Sequence, residues 1–142
     1  MISDVQDGAT TYPNSGESKT IRVLLADDHA MIRQGVRTLL EQHPDMEVVG
    51  EAWDGQHACE LVDALHPGVV VMDANMPRLD GIEATRRIKE LHPQTVIIGL
   101  SVQTETQVAQ GMLQAGASRY LTKESAGEQL YDTIITAVSD QA

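Results

Sequence analysis

At 142 residues the chain suits a single domain, since one hydrophobic core typically organises about 100–200 residues. Ten Lys and Arg against 21 Asp and Glu leave a net charge of −11, which repels nucleic-acid phosphates and anionic membranes and argues against direct nucleic-acid binding by this chain. No apolar run reaches the roughly 18 residues of a membrane span, Met1-Ile2-Ser3-Asp4 does not open a secretion signal, and the lone Cys59 precludes an internal disulfide, so a cytoplasmic protein is expected.

Residues 1–20 carry Gly8, Pro13, Asn14, Ser15, Gly16 and Ser18 with no sustained apolar period, the composition of a flexible tail. A folded domain is expected over 21–140. Its first strand candidate is Ile21–Ala26, followed by a helical stripe of Ile32, Gly35, Val36, Leu39 and Leu40. Glu47–Ala52 is the second strand candidate. The next stripe, Ala58, Leu61, Val62 and Leu65, holds Cys59, where a small buried thiol is commoner than a reactive one. Val69–Met72 follows, β-branched as a strand covered on both faces should be. The stripes Ile82/Ala84/Ile88/Leu91 and Val108/Met112/Ala115 are thinner and flank the strand candidate Val96–Leu100. Thr104-x-x-Gln107 has the form of a capping box, and Gly116 suits a helix C-cap. Arg119–Thr122 is the last strand candidate, and Ser125-x-x-Glu128 is expected to start a helix carrying Leu130, Ile134, Ile135 and Val138.

The pairs His43-Pro44, His66-Pro67 and His92-Pro93 each follow an apolar stripe. A metal site is the sharper explanation, but a histidine favours the helix dipole and a following proline cannot continue the helix, so the pairs are stop signals. Five βα units in about 120 residues are too few to close an eight-unit barrel, which needs about 250. An open doubly wound α/β sheet follows, in which ligands bind beyond the carboxyl ends of the strands.

Chemistry gathers at that edge. The first strand ends in Asp27-Asp28 and the third in Asp73, so three carboxylates converge if the two strands are neighbours. One aspartate capping the next helix while the other is solvated is the blander explanation. Packed like charges raise a pKa or recruit a cation, and an all-oxygen donor set suits Mg²⁺. The fourth strand ends at Ser101 and the fifth leads through Tyr120 to Lys123. A carboxylate nucleophile, a metal, an ammonium and a hydroxyl are the groups that phosphoryl transfer needs.

Three stretches, Ala26-Asp27-Asp28-His29, Met72-Asp73-Ala74-Asn75-Met76-Pro77-Arg78-Leu79-Asp80-Gly81 and Gly116-Ala117-Ser118-Arg119-Tyr120-Leu121-Thr122-Lys123, resemble the response-regulator receiver domains of bacterial two-component signalling. The resemblance runs from about Ile21 to Val138. Asp27-Asp28-His29, Arg33-x-Gly35-Val36 and Val48-Val49-Gly50-Glu51-Ala52 look most like receivers of the NarL/FixJ type. It implies a flavodoxin-like (βα)₅ fold with a five-stranded parallel sheet in order 2-1-3-4-5 and helices on both faces. It further implies Asp73 as phosphoacceptor, Asp28 as a direct Mg²⁺ ligand, Asp27 as a ligand acting mainly through water, and the Asn75 backbone carbonyl as the remaining protein ligand. Ser101 and Lys123 would bind phosphoryl oxygens, and Tyr120 matches the aromatic that reorients when Ser101 is drawn to the phosphate.

Two details depart from or refine the pattern. Glu124 follows Lys123 where many receivers have a proline, often in a cis peptide, and Asn75 and Gln103 match rim positions that influence phosphoryl lifetime. His29 is a marker of the subtype with no assigned chemistry. The implied partners are a sensor histidine kinase or phosphotransfer protein as donor and a downstream output domain or protein as receiver of the signal. No output domain is expected within this chain, which ends soon after its last helix. Two rival functions use the same fold or ingredients. A Mg²⁺-dependent phosphohydrolase with an aspartyl nucleophile would want an acid at Asn75 and a cap over its substrate, and a phosphorylation-independent interaction module would not need the full acid, serine and lysine set.

Overall fold

A computed structural model of the chain describes residues 20–101 and 106–141; the expected tail, Gln103 and the Thr104 capping position lie outside the described residues. Within them five strands alternate with five helices: β1 Ile21–Ala26, α1 Ala30–Glu41, β2 Met46–Ala52, α2 Gly55–Leu65, β3 Val69–Asp73, α3 Gly81–Leu91, β4 Val96–Ser101, α4 Thr106–Ala115, β5 Arg119–Thr122 and α5 Lys123–Ser139. The strands pair in parallel in the order β2-β1-β3-β4-β5. β1 and β3 are therefore neighbours, with Ala26 opposite Met72.

Alternation along the central strands divides the core into two layers. Val23, Leu25, Val69, Val71, Val96, Ile98 and Leu100 pack with Leu40 of α1 and with Ala126, Leu130, Ile134 and Ala137 of α5. Leu24, Ala26, Val70, Met72 and Ile97 face the other way, onto Ala58 and Val62 of α2, Ala84 and Ile88 of α3 and Met112 of α4. All five β3 residues are buried, so the carboxylate at its end enters the site from a strand with no freedom to slide.

The helix ends explain most of the sequence signals. His66 takes a left-handed conformation (φ 49°) as the C-cap of α2, and His92 caps α3 while its Nε2 lies 2.7 Å from Asp63 Oδ1, so two of the His-Pro pairs do stop helices. Gly116 (φ 123°) closes α4: its N–H donates to the Leu113 carbonyl at 3.1 Å and that of Ala117 to Met112 at 2.9 Å, the paired bonds of a Schellman cap. β2 begins one residue earlier than expected, at Met46, and β3 and β4 each end one residue later, at Asp73 and Ser101; the larger difference from the sequence expectation is at the last helix. The last helix starts at Lys123, not Ser125, because the Thr122 hydroxyl serves as N-cap and accepts the Ser125 N–H at 3.2 Å. Lys123 consequently belongs to the first turn of α5 rather than to a loop. No peptide bond among the described residues is cis.

Candidate functional site

The site is assembled from the ends of β1, β3, β4 and β5. Asp27 directly follows β1, is buried, and is fixed by its N–H bond to the Ala52 carbonyl of β2 at 3.0 Å. Its Oδ1 accepts the His29 N–H at 2.8 Å and stands 3.0 Å from His29 Nδ1, which in turn is 3.2 Å from Asp28 Oδ1. Asp73 ends β3 and is 2 % exposed. Asp27, Asp28, His29 and Asp73 each present a donor atom, and these atoms lie within 4.8 Å of one another. The blander explanation of the acidic pair fails, since the N-cap of α1 is His29 and no side chain caps that helix.

A cation is built into the cluster. Lys123 Nζ forms an ion pair with Asp27 Oδ2 at 2.8 Å and donates to Asp73 Oδ2 at 3.2 Å. Its side chain is only 9 % exposed. Burial works against the ammonium, but the hydrogen bonding and charge of Asp27 and Asp73 outweigh it and hold the Lys123 pKa above its ordinary value. Asp73 is pushed the other way. Burial, then the neighbouring Asp27 charge, raise its pKa from 3.8 to about 6 against the opposing pull of the Asn75 N–H and Lys123.

The Asn75 N–H donates to Asp73 Oδ1 at 3.1 Å, which holds the exposed Asn75 beside the carboxylate. Ser101 is buried at the end of β4, in register with Thr122 of β5 and so one residue from Lys123. Tyr120 is half-buried in β5 and rests beside Gly99, where an added Cβ would meet its Cδ1 at 3.1 Å. Gly81 lets α3 begin against the site: a Cβ there would fall 2.0 Å from the Asp73 carbonyl oxygen, and its N–H bonds the Ala74 carbonyl at 3.0 Å.

Among the described residues, Asp27, Asp28, Asp73, Asn75, Ser101 and Lys123 thus lie at one sheet edge with Tyr120 on the last strand, and three groups not assigned to the site from sequence join them. His29 turns its ring back over both acids, a position that follows from sitting between the pair and the first turn of α1. Arg33, one turn on, donates from Nη1 to the Asp27 carbonyl at 2.5 Å and from Nε to Glu51 Oε1 at 2.9 Å; Arg37 holds the other Glu51 oxygen at 2.7 Å. Hydrogen bonding from Arg37, then Arg33, keeps the Glu51 carboxyl below its usual range despite some burial. The spacing of Arg33 and Arg37 on one helix face opposite an acid of β2 was the available signal. The third group is the Asp54–Arg78 pair, described below.

Residues 23–135 match the family model of the response regulator receiver domain. This chain belongs to that family. As a receiver it is 43% identical over 118 residues to the transcriptional regulatory protein LiaR of Bacillus subtilis, covering 82% of this chain and 56% of LiaR. Against DegU of Brevibacillus brevis it is 37% identical over 114 residues, covering 80% of this chain and 48% of DegU. The receiver chain thus spans about half the length of the curated relatives it matches. Among solved structures it superposes on the receiver domain of the putative response regulator NarL from Mycobacterium tuberculosis with a TM-score of 0.81 at 30% identity, over 85% of this chain and 98% of that one. The response regulator domain of Thermotoga maritima CheB gives 0.79 at 34% identity, over 84% and 97%.

Proposed function

We propose that this receiver accepts a phosphoryl group on Asp73, from a sensor histidine kinase or a small acyl phosphate, and relays its phosphorylation state to an output domain or protein. The observation that carries this reading is the buried Lys123 ammonium set between Asp27 and Asp73, beside a carboxylate cluster with room for a cation. The donor set fits Mg²⁺, which prefers carboxylate, carbonyl and water oxygens. Asp28 and Asp73 carboxylates and the Asn75 carbonyl would hold it, with Asp27 acting mainly through water. A bound Mg²⁺ supplies charge neutralisation and orientation of the phosphoryl oxygens.

In the transfer an Asp73 carboxylate oxygen attacks phosphorus, the new O–P bond forms, and the bond to the donor nitrogen or oxygen breaks with its electron pair leaving on the donor. Lys123 and Ser101 then bind phosphoryl oxygens, the first with charge and the second with its hydroxyl. Added negative charge at Asp73 draws Ser101 inward and lets Tyr120 repack, so that the face around β5 changes. Driving such a two-state element from 1:99 to 99:1 takes about 5.5 kcal/mol, within reach of two or three charge-assisted hydrogen bonds. Turnover is limited to the chain's own phosphoryl group, and the setting is the cytoplasm, where such donors occur.

The test is direct. After incubation with Mg²⁺ and acetyl phosphate, the wild type should gain one phosphoryl mass that survives acid and is lost in base, and Asp73→Asn should gain none. An equal gain on Asp73→Asn, or none on the wild type, would overturn the proposal.

A further inference from the structure

Resting on that receiver reading, we infer that Arg78 and Asp54 form a positioning latch that clamps the β3–α3 loop, and with it Asn75, over the phosphoryl-transfer site. Arg78 Nε and Nη2 both donate to Asp54 Oδ2, at 3.0 and 2.7 Å. The two partners come from different loops, 24 residues apart in sequence. Asp54 is no casual surface acid: it is 3 % exposed, and its Oδ1 accepts the His57 N–H at 2.8 Å as the N-cap of α2. Its place is therefore fixed by a helix before Arg78 reaches it. Burial opposes its charge, but the His57 N–H and Arg78 outweigh that and keep the carboxyl below its ordinary range, ready to hold a guanidinium.

The backbone around Arg78 requires such a clamp. Arg78 has φ 68°, and the Leu79 N–H donates to the Pro77 carbonyl at 2.8 Å, closing a three-residue turn with a left-handed centre. Turns of that kind are strained, and a side chain with a Cβ occupies them only when its surroundings dictate it. Immediately beyond, a Cβ at Gly55 would lie 1.9 Å from the Leu79 carbonyl oxygen, so the two loops meet backbone to backbone beside the ion pair. The loop's other end is tied by the Gly81 N–H bond to Ala74. Between these two ties lie Asn75, whose N–H engages Asp73 Oδ1, and the buried Met76. Release of the Arg78 end frees the segment whose carbonyl the receiver reading assigns to the cation.

The experiment compares wild type, Arg78→Gln and Arg78→Gly, reading the Mg²⁺ dissociation constant by calorimetry and hydrogen exchange at the Asn75 amide by NMR. Arg78 is exposed, so both variants should fold, and glycine keeps the turn while removing the guanidinium. Both are expected to bind Mg²⁺ about tenfold more weakly, as loss of an outer-shell support typically does, with faster exchange at Asn75. Affinity within about twofold of wild type together with unchanged exchange in Arg78→Gln overturns the latch. Normal behaviour of Arg78→Gly with a defective Arg78→Gln also overturns it, since the turn and not the pair would then be responsible. If wild type binds no Mg²⁺ and takes no phosphoryl group, the receiver reading fails on its own account, and Asn75 exchange alone decides the latch.

Discussion

Asp73 shows what burying a carboxylate beside another acid costs the fold. In the metal-free protein its pKa rises from 3.8 to about 6, so the folded state holds the proton more tightly than the unfolded one. The associated stability is fully present below about pH 4 and is lost as pH rises through 6. Two pKa units correspond to about 3 kcal/mol, which solvent screening reduces to about 1–2 kcal/mol. Asp73→Asn should therefore melt above wild type at pH 8 without divalent ions, and the gap should shrink at pH 5. Thermal unfolding of both proteins at the two pH values checks this; an equal gap at both would show that Asp73 carries no such strain. The proposed role of Asp73 as phosphoacceptor and the stability of the fold are in opposition at this residue, and Lys123 is the group that moderates the conflict.

At the scale of elements, the same residue type has opposite consequences depending on what faces it. Gly81 starts α3 where a Cβ would fall 2.0 Å from the Asp73 carbonyl, a distance no relaxation of a side chain can relieve because the obstacle is backbone. Gly81→Ala should cost about 3 kcal/mol by lifting α3 from β3. Gly35, inside α1, has nothing within 4 Å of the same added atom, and Gly35→Ala should stabilise by about 0.5–1 kcal/mol through helix propensity alone. Urea denaturation with an unchanged m-value checks both signs. The chain itself announced these elements well, because period-2 and period-3.6 apolar patterns report directly on burial. The start of α5 was misplaced by two residues, since Ser125-x-x-Glu128 and Thr122-x-x-Ser125 both offer a capping hydroxyl and only the strand end decides between them.

For the whole molecule, the site was legible where it depends on strand ends and hidden where it depends on contacts between loops. Asp27, Asp28, Asp73, Ser101 and Lys123 converge because parallel strands in the order 2-1-3-4-5 all finish at one edge. Arg33 to Glu51 joins residues 18 apart, hinted at only by the i,i+4 spacing of Arg33 and Arg37, and Arg78 to Asp54 joins residues 24 apart through loop shapes that no local pattern encodes. The global charge of −11 adds a further property that no single residue shows. Packed acids in an already anionic protein repel one another, so a divalent cation that binds only the assembled cluster should stabilise the fold by mass action. At ten times its dissociation constant the gain is about 1.4 kcal/mol, or a melting shift of about 5 °C for a domain of this size. General screening by the −11 charge would give part of that shift with any salt. NaCl at matched ionic strength is therefore the control, and Asp28→Asn the second. A Mg²⁺ shift that exceeds the NaCl shift in wild type and falls to it in Asp28→Asn places the effect at the cluster; equal shifts in all cases would mean that the ion acts on the charge of the whole surface instead.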